Sequence, residues 1–234
     1  MPSDAARSGT LPDGQVEAMF DRIAGVYDVM NSVMTAGLHH QWRTRAVDLA
    51  DVGPGDRVLD VATGTGDLAI ELASRVSPGG SVVGSDFSEG MLDRARKKDA
   101  AITWERADVH QLPYADGEFA AATVGFGARN FGDLERGIAE MARVVKPGGK
   151  VVVLEITTPT KPPLSTFFSV WFDRIVPLLG RFDDAYTYLP SSVRRFPGPE
   201  RLGGVLAGAG LVDVRWTLTA GGIIALHHGR KPAA

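Results

Sequence analysis

The chain has 234 residues, no cysteine and a formal net charge of −3. This length predicts one domain with a modest elaboration. The lack of cysteine excludes thiol nucleophiles and cysteine-based metal sites, and fits a reducing compartment. The interspersed charges lack the one-sided basic field of a nucleic-acid-binding protein. No stretch reaches the ~18 apolar residues of a membrane-spanning helix, and the polar N-terminal residues indicate no signal peptide. We therefore expect a cytoplasmic protein, at most peripheral on the inner face of the membrane.

The first fifty residues divide into a polar tail and a helical region. Residues 1–15 are predicted to be a disordered tail, and residues 16–234 a single domain. Between 16 and 50, apolar residues recur at helical spacing, as at Met19 and Ile23.

Beyond Gly53-Pro54-Gly55, apolar runs of strand length alternate with helical patterns. Strands are predicted at 57–62, 81–85, 102–106, 119–126 and 150–156. Helices are predicted between them at 67–74, 89–98 and 134–145. Such alternation is typical of a parallel sheet with helices on both faces.

The pattern changes after the last of these strands. Residues 157–190 have no strand signal, hold five prolines and contain the apolar segment Phe167–Leu179. A helix is predicted to follow Pro199 and to end near Gly208. An antiparallel strand pair is predicted to complete the sheet, at 211–218 and 223–227.

A glycine-containing loop lies between the first strand and the next helix. It reads Asp60-Val61-Ala62-Thr63-Gly64-Thr65-Gly66-Asp67, and its glycines allow backbone N–H groups at a helix start to approach a ligand. Asp86 ends the next strand 20 residues after Gly66, where a carboxylate can accept both ribose hydroxyls of an adenosine-type cofactor. The alternative is that the glycines only form a tight turn and Asp86 caps the following helix.

The loop alone fits two adenosine-containing cofactors. Gly64-Thr65-Gly66-Asp67-Leu68-Ala69 satisfies the dinucleotide pattern with Ala in the last place, as in an NAD-dependent oxidoreductase. Asp108, two residues past the third strand, is placed to meet an adenine amino group. With the terminal strand pair, it favours a Rossmann-like class I S-adenosylmethionine-dependent methyltransferase, whose mostly parallel seven-stranded sheet has helices on both faces and a terminal antiparallel strand pair. In that class a glycine is usual at the position of Ala62.

Four segments resemble the ubiquinone/menaquinone C-methyltransferases, over roughly residues 16–231. They are Tyr27-Asp28-Val29-Met30-Asn31 running on to His39 and Trp42, Arg143-Val144-Val145-Lys146-Pro147-Gly148-Gly149 reaching Leu154-Glu155-Ile156-Thr157, Phe126-Gly127-Ala128-Arg129-Asn130, and Leu218–His227. Thr35 and Thr157 stand where the family usually has Ser, and Gly125 where a Ser often contacts the cofactor.

The resemblance implies methyl transfer from S-adenosylmethionine to a ring carbon of a demethylated prenyl quinol, with demethylmenaquinol as the preferred substrate. With the glycine loop, it assigns cofactor binding to Asp60, Thr63, Gly64, Gly66, Asp86, Asp108, Val109 and Gly125. It assigns the catalytic and substrate side to Tyr27, Asp67, Arg129 and Asn130.

Methyl transfer to carbon needs a ring made electron-rich by loss of a hydroxyl proton. Arg129 carries a permanent charge that would stabilise the developing phenolate, and Asn130 would donate to the same oxygen. Asp67 would take the proton through water. Two alternatives stay open: Arg129 pairs with Asp133 at the surface, and Asp67 is a first-turn helix residue stabilised by the helix dipole.

Two regions are predicted to surround the substrate. Residues 16–50 are interpreted as a helical cap, in which His39 orients the segment around the quinol. Residues 157–196 are interpreted as an apolar insertion over the active site, in which Phe168 and Trp171 receive the prenyl tail. The alternative is that this insertion packs on its own domain or on a dimer partner.

No metal site is predicted, because His39-His40 and His227-His228 are adjacent pairs whose members point in different directions. The expected partners are a lipid quinol, a transiently contacted membrane surface and a second copy in a homodimer, without nucleic acid. Two other functions stay open. One is an NAD-dependent oxidoreductase, and the other is a non-catalytic methyltransferase-fold subunit of a quinone-synthesis assembly.

Overall fold

The computed structural model describes residues 14, 19, 21, 38–170 and 185–233, which form an α/β fold around a seven-stranded sheet. The strands are β1 Arg57–Val61, β2 Ser81–Asp86, β3 Thr103–Arg106, β4 Phe119–Gly125, β5 Val145–Ile156, β6 Val212–Thr219 and β7 Ile224–Arg230. They lie in the order β3-β2-β1-β4-β5-β7-β6. The pairs from β3 to β5 are parallel, and β7 pairs antiparallel with both β5 and β6. The predicted sheet and its terminal antiparallel pair are confirmed.

Seven α-helices are described around this sheet. They are α1 His39–Ala50, α2 Asp67–Val76, α3 Glu89–Lys98, α4 Leu134–Val144, α5 Leu164–Val170, α6 Ala185–Arg195 and α7 Pro199–Gly208. Local chemistry sets several of their starts: Asp133 accepts the Arg136 N–H at 3.0 Å before α4, and Pro199 opens α7. None of the described helices has the length and apolar character needed to cross a membrane.

The sheet is covered on both faces, because consecutive strand residues point to opposite sides. In β1, Val58 packs with Trp42 and Leu72 of the α1 and α2 layer, whereas Leu59 packs with Ile138 of α4. Val58 and Leu59 are both fully buried, and burying such a side chain contributes about 1.5–3 kcal/mol. This two-sided burial explains the unbroken apolar runs that mark the strands in the sequence.

Two local features differ from what the sequence predicted. The strand predicted at 150–156 begins at Val145 and includes Lys146-Pro147-Gly148-Gly149, because its pairing with β4 begins at Val145 and shifts register before Lys150. Helix α6 was not predicted because Pro190 lies inside it, and proline usually breaks a helix.

The division into a tail, a cap and an insertion stays a prediction. Only residues 14, 19, 21 and 38 are described before α1. Tyr27 and Trp171 lie outside the described residues, as do the other residues of 171–184.

Candidate active site

A cavity of about 370 Å³ opens at the carboxyl ends of the parallel strands. Its volume lies within the range of small-molecule sites, and ligands bind at this edge of open α/β sheets. The lining includes the predicted Thr63, Gly64, Asp86, Asp108, Val109, Gly125 and Asn130. The predicted Asp60, Gly66, Asp67, His39, Arg129 and Phe168 are not part of the lining.

The two glycines of the loop do different work. Gly64 has φ +57° and faces open space, since a Cβ added there would have no atom within 4 Å. Gly66 has φ +86° and starts α2, and a Cβ there would overlap the ring of Trp104. The open space at Gly64 would let a ligand approach the backbone. Gly66 instead allows the tight turn into α2 and leaves room for the ring of Trp104 to pack against it.

Ala62 occupies a conformation that normally favours glycine. Its φ is +48°, and its methyl group lies 2.6 Å from where a Cβ would stand on Gly127. Glycine, which is usual here in class I methyltransferases, adopts such a positive φ without strain. This chain tolerates Ala62 because Gly127 opposite has no side chain.

Asp60 supports the loop from below. Its carboxylate is buried and accepts hydrogen bonds from the hydroxyls of Thr63 and Thr123, both at 2.6 Å. Burial raises the pKa of Asp60 to about 6. Asp60 thus holds Thr63 at the cavity wall without lining the cavity itself, and its part in cofactor binding stays a prediction.

Asp86 brings a buried carboxylate to the cavity. One oxygen accepts the Gly64 N–H at 2.8 Å and the other accepts the Ser88 N–H at 2.9 Å. Burial raises the pKa of Asp86 to about 6. The alternative of a helix cap was wrong, because Ser88 is the N-cap of α3 and accepts the Met91 N–H at 3.2 Å.

Asp108 is held by its neighbour His110 on the same wall. The Asp108 carboxylate lies 2.7 Å from His110 Nδ1 and accepts the His110 N–H at 2.9 Å. His110 Nε2 accepts the Asp133 N–H at 3.1 Å, which leaves the Nδ1 proton to donate to Asp108. Asp133 thereby has a role in this wall, and the described ion pairs do not join it to Arg129.

The opposite wall is formed by the loop after β4. Because Gly125 has no side chain, only its backbone faces the cavity. A Cβ added there would lie 3.1 Å from the Leu68 side chain. Phe126 has a positive φ of 61°. Asn130 lines the cavity, and its buried Oδ1 has no hydrogen-bond partner among the described residues.

Arg129 lies behind this wall. Its guanidinium forms an ion pair with Glu155 at 2.8 Å and also donates to the Phe126 carbonyl. Glu155 Oε2 accepts the Arg129 backbone N–H at 3.1 Å, and both side chains are almost fully buried. The alternative of a surface pair with Asp133 was wrong, because the ion-pair partner of Arg129 is the buried Glu155. The structure supports a positioning role for Arg129, while its direct contact with a substrate stays a prediction.

Asp67 is tied into an ion-pair cluster beside the cavity. Its carboxylate lies 2.8 Å from Arg43 and 2.6 Å from Lys98. Burial raises the pKa of Asp67, but the two cations outweigh that effect and the net pKa is lowered. A carboxylate stabilised in its charged form is a weak proton acceptor, so these contacts argue against Asp67 as the base.

Two predicted substrate residues are buried in the protein. His39 is 2% exposed at the start of α1. Phe168 is 4% exposed and packs with Val193, Ile156 and Ile223. For Phe168 these contacts favour the alternative in which the insertion packs on its own domain.

Sequence reasoning missed Arg43, Glu155 and His110. Arg43 had a usable signal, since it occupies the apolar face of α1 with Ala46, Val47 and Ala50, where a cation is unexpected. Glu155 had none, because its contacts with Arg129 depend on two strand ends meeting in space.

Comparison with known proteins agrees with these features. The ubiE/COQ5 methyltransferase family matches residues 9–231. The demethylmenaquinone methyltransferase of Thermus thermophilus is 45% identical over 222 residues, which cover 92% of this chain and 100% of that protein. The demethylmenaquinone methyltransferase of Desulfitobacterium hafniense is 41% identical over 235 residues, which cover 96% and 93%.

Solved structures agree on the fold. An S-adenosylmethionine-dependent methyltransferase of Thermotoga maritima has a TM-score of 0.63 and 19% identity, over 92% of this chain and 98% of that one. The family match favours S-adenosylmethionine over NAD as the cofactor. The chain belongs to the ubiE/COQ5 methyltransferase family and is an S-adenosylmethionine-dependent methyltransferase.

Proposed function

We propose that this enzyme methylates the unsubstituted ring carbon of a demethylated prenyl quinol, with demethylmenaquinol as its substrate. The relatives named demethylmenaquinone methyltransferase support this choice. The observation that carries the proposal is a cavity with two unlike walls. One wall has the buried carboxylate of Asp86, the exposed carboxylate of Asp108 and a glycine loop, and the other has Phe126, Phe131 and Asn130.

The first wall fits S-adenosylmethionine. Asp86 is a buried carboxylate at the cavity, as ribose hydroxyls require, and Gly64 leaves open space beside it. Asp108 and Val109 would meet the adenine. When bound, the cofactor supplies an electrophilic methyl group on a sulfonium.

The second wall would hold the quinol ring. Phe126 and Phe131 offer apolar surface, and Asn130 offers a polar group that can hydrogen-bond a ring hydroxyl. The Arg129–Glu155 pair fixes this loop from behind through the Phe126 carbonyl and the Arg129 N–H. Because methyl transfer depends on alignment of the reacting atoms, fixing the loop would contribute to the rate.

The prenyl tail is proposed to leave the site over α5. Leu164 and Val170 of this helix are 39% and 43% exposed, so the helix presents apolar surface although Phe168 is buried. We propose transient contact of this surface with the membrane that stores the quinol. A homodimer partner is the alternative cover for it.

The test is an anaerobic assay with chemically reduced substrates. We expect a 2-prenyl-1,4-naphthoquinol to gain one methyl group at ring carbon 3, measured by mass spectrometry, and a prenyl benzoquinol to react more slowly. Methylation of neither quinol, with S-adenosylmethionine binding intact, would refute the proposal. Faster reaction of the benzoquinol would change the substrate.

A further inference from the structure

Arg43 is a buried cation at the wall of the cavity. It lies on α1, is 8% exposed, and lines the cavity beside Thr63, Gly64 and Thr65 of the glycine loop. A buried charge is costly unless an opposite charge and hydrogen bonds compensate it. The ion pairs of Arg43 therefore show whether its guanidinium can also bind an anionic group of a ligand in the cavity.

The carboxylate that faces Arg43 is shared. Asp67 lies 2.8 Å from the Arg43 guanidinium and also accepts Lys98 Nζ at 2.6 Å. Oδ2 of Asp67 pairs with Arg43 and Oδ1 pairs with Lys98, so two basic side chains share one carboxylate. A guanidinium has five N–H donors, and one ion pair leaves Arg43 with donors for a second anion at the cavity.

Among the described residues, four with charged side chains line the cavity: Arg43, Asp86, Arg106 and Asp108, of which Arg106 already donates to the Phe87 carbonyl. Asp86 and Asp108 lie where the adenosine half of the cofactor is expected, and both offer hydrogen-bond acceptors. The glycine-loop end carries Arg43. S-adenosylmethionine has the matching polarity, since its nucleoside needs acceptors and its amino-acid end carries a carboxylate.

We propose that Arg43 binds the carboxylate of the methionine half of S-adenosylmethionine, and that Asp67 orients the guanidinium for this contact. The predicted substrate cap would thus contribute to the cofactor site through α1. The proposal rests on the cofactor and is independent of which quinol is methylated. The competing explanation is that the Arg43–Asp67 pair only ties α1 to α2.

Calorimetry with matched ligands separates the two explanations. S-adenosylhomocysteine carries the carboxylate, and its decarboxylated analogue differs only by lacking it. Arg43→Gln should weaken binding of S-adenosylhomocysteine by about 10- to 100-fold, as expected for charge-assisted hydrogen bonds. The same variant should bind the decarboxylated analogue within about twofold of the unmodified protein.

Two further variants complete the test. Arg43→Lys keeps the charge but loses the planar fork of donors; it should show a smaller loss confined to S-adenosylhomocysteine, and serves if Arg43→Gln does not fold. Arg45→Gln removes an exposed arginine of α1 that donates to Thr219, and should bind both ligands normally. Equal losses for both ligands, or no loss, would overturn the proposal. Failure of the quinol proposal would instead appear as normal ligand binding without methyl transfer.

Discussion

The two walls of the cavity use buried charge in opposite ways. On the glycine-loop wall, Asp86 reaches the cavity with its carboxylate held by the backbone N–H groups of Gly64 and Ser88. On the wall after β4, Arg129 and Glu155 neutralise each other behind the surface, and Asn130 faces the cavity. On the first wall a charged side chain is available to a ligand. On the second, the charged side chains pair with each other and hold the loop after β4 in place.

This difference matches the chemistry of the cofactor and of the proposed quinol substrate. A cofactor with hydroxyl and amino groups gains from a charged acceptor, whereas an aromatic ring gains from an apolar wall with a single polar contact. It follows that substitutions on the first wall should act on cofactor affinity, and substitutions on the second on stability and turnover.

The largest effect is expected from breaking the buried pair. Glu155→Ala should lower the free energy of unfolding by about 3–5 kcal/mol, because it leaves Arg129 buried without its counter-charge. Urea denaturation of the cofactor-free protein measures this. Arg96→Ala, which removes an exposed ion pair with Glu89 and Asp93, should cost under about 1 kcal/mol. Similar losses of unfolding free energy for the two variants would mean that the buried Arg129–Glu155 pair stabilises the protein no more than an exposed ion pair does.

The next effect concerns the charged wall. Asp86→Ala should weaken S-adenosylmethionine binding by about 10- to 150-fold, or about 1.5–3 kcal/mol, through loss of charge-assisted hydrogen bonds to two hydroxyls. Calorimetry measures it, with Asp93→Ala on exposed α3 surface as the control. Binding within twofold of the unmodified protein would exclude Asp86 from cofactor recognition.

Arg129→Lys, a substitution behind the second wall, should lower turnover without weakening cofactor binding. Lysine keeps the charge but loses donors that hold the loop, so we expect kcat in a reduced-quinol assay to fall at least about tenfold, with cofactor affinity within about twofold. Arg75→Lys, in an exposed pair with Asp48, is the control. If kcat is unchanged, Arg129 has no part in turnover.

The smallest effect is a pH dependence of cofactor binding. Since burial raises the pKa of Asp86 to about 6, affinity for S-adenosylmethionine should fall by up to about tenfold between pH 7.5 and pH 5, as protonation removes the charged acceptor. Asp21 and Asp60 interact electrostatically with Asp86 and favour the same protonation. In Asp86→Asn the affinity should no longer depend on pH over this range. If the pH dependence persists in this variant, it arises from another titratable group.

The stability of the cofactor-free protein should respond in the opposite sense. The folded-state pKa values of Asp60 and Asp86 lie above the ordinary value of 3.8. Their contribution to stability is therefore fully present below about pH 4 and is lost as the pH rises through about 6. Comparing urea unfolding of Asp86→Asn and the unmodified protein across this range isolates the part that belongs to Asp86.

The sequence predicted features whose causes are local. Strand and helix alternation follows from burial on one or two faces, and the position of Gly64 and Asp86 at the cavity follows from a strand–turn–helix unit. Arg43 had a signal, as a cation on the apolar face of α1, but its pairing with Asp67 depends on how α1 and α2 pack together. The pairing of Glu155 with Arg129 depends on two strand ends meeting in space. Neither contact can be read from spacing along the chain.

The position of β7 in the sheet determines how the protein should respond to C-terminal truncation and fusion. This strand comes last in sequence but lies between β5 and β6, so during synthesis both neighbours precede the strand that joins them. Until Ile224–Arg230 is in place, β5 lacks its pairing with β7 and β6 has no described neighbour in the sheet, and unpaired edges of this kind promote association between chains. Shortened chains that end before β7 should therefore aggregate, whereas a linker appended beyond it would leave the sheet complete.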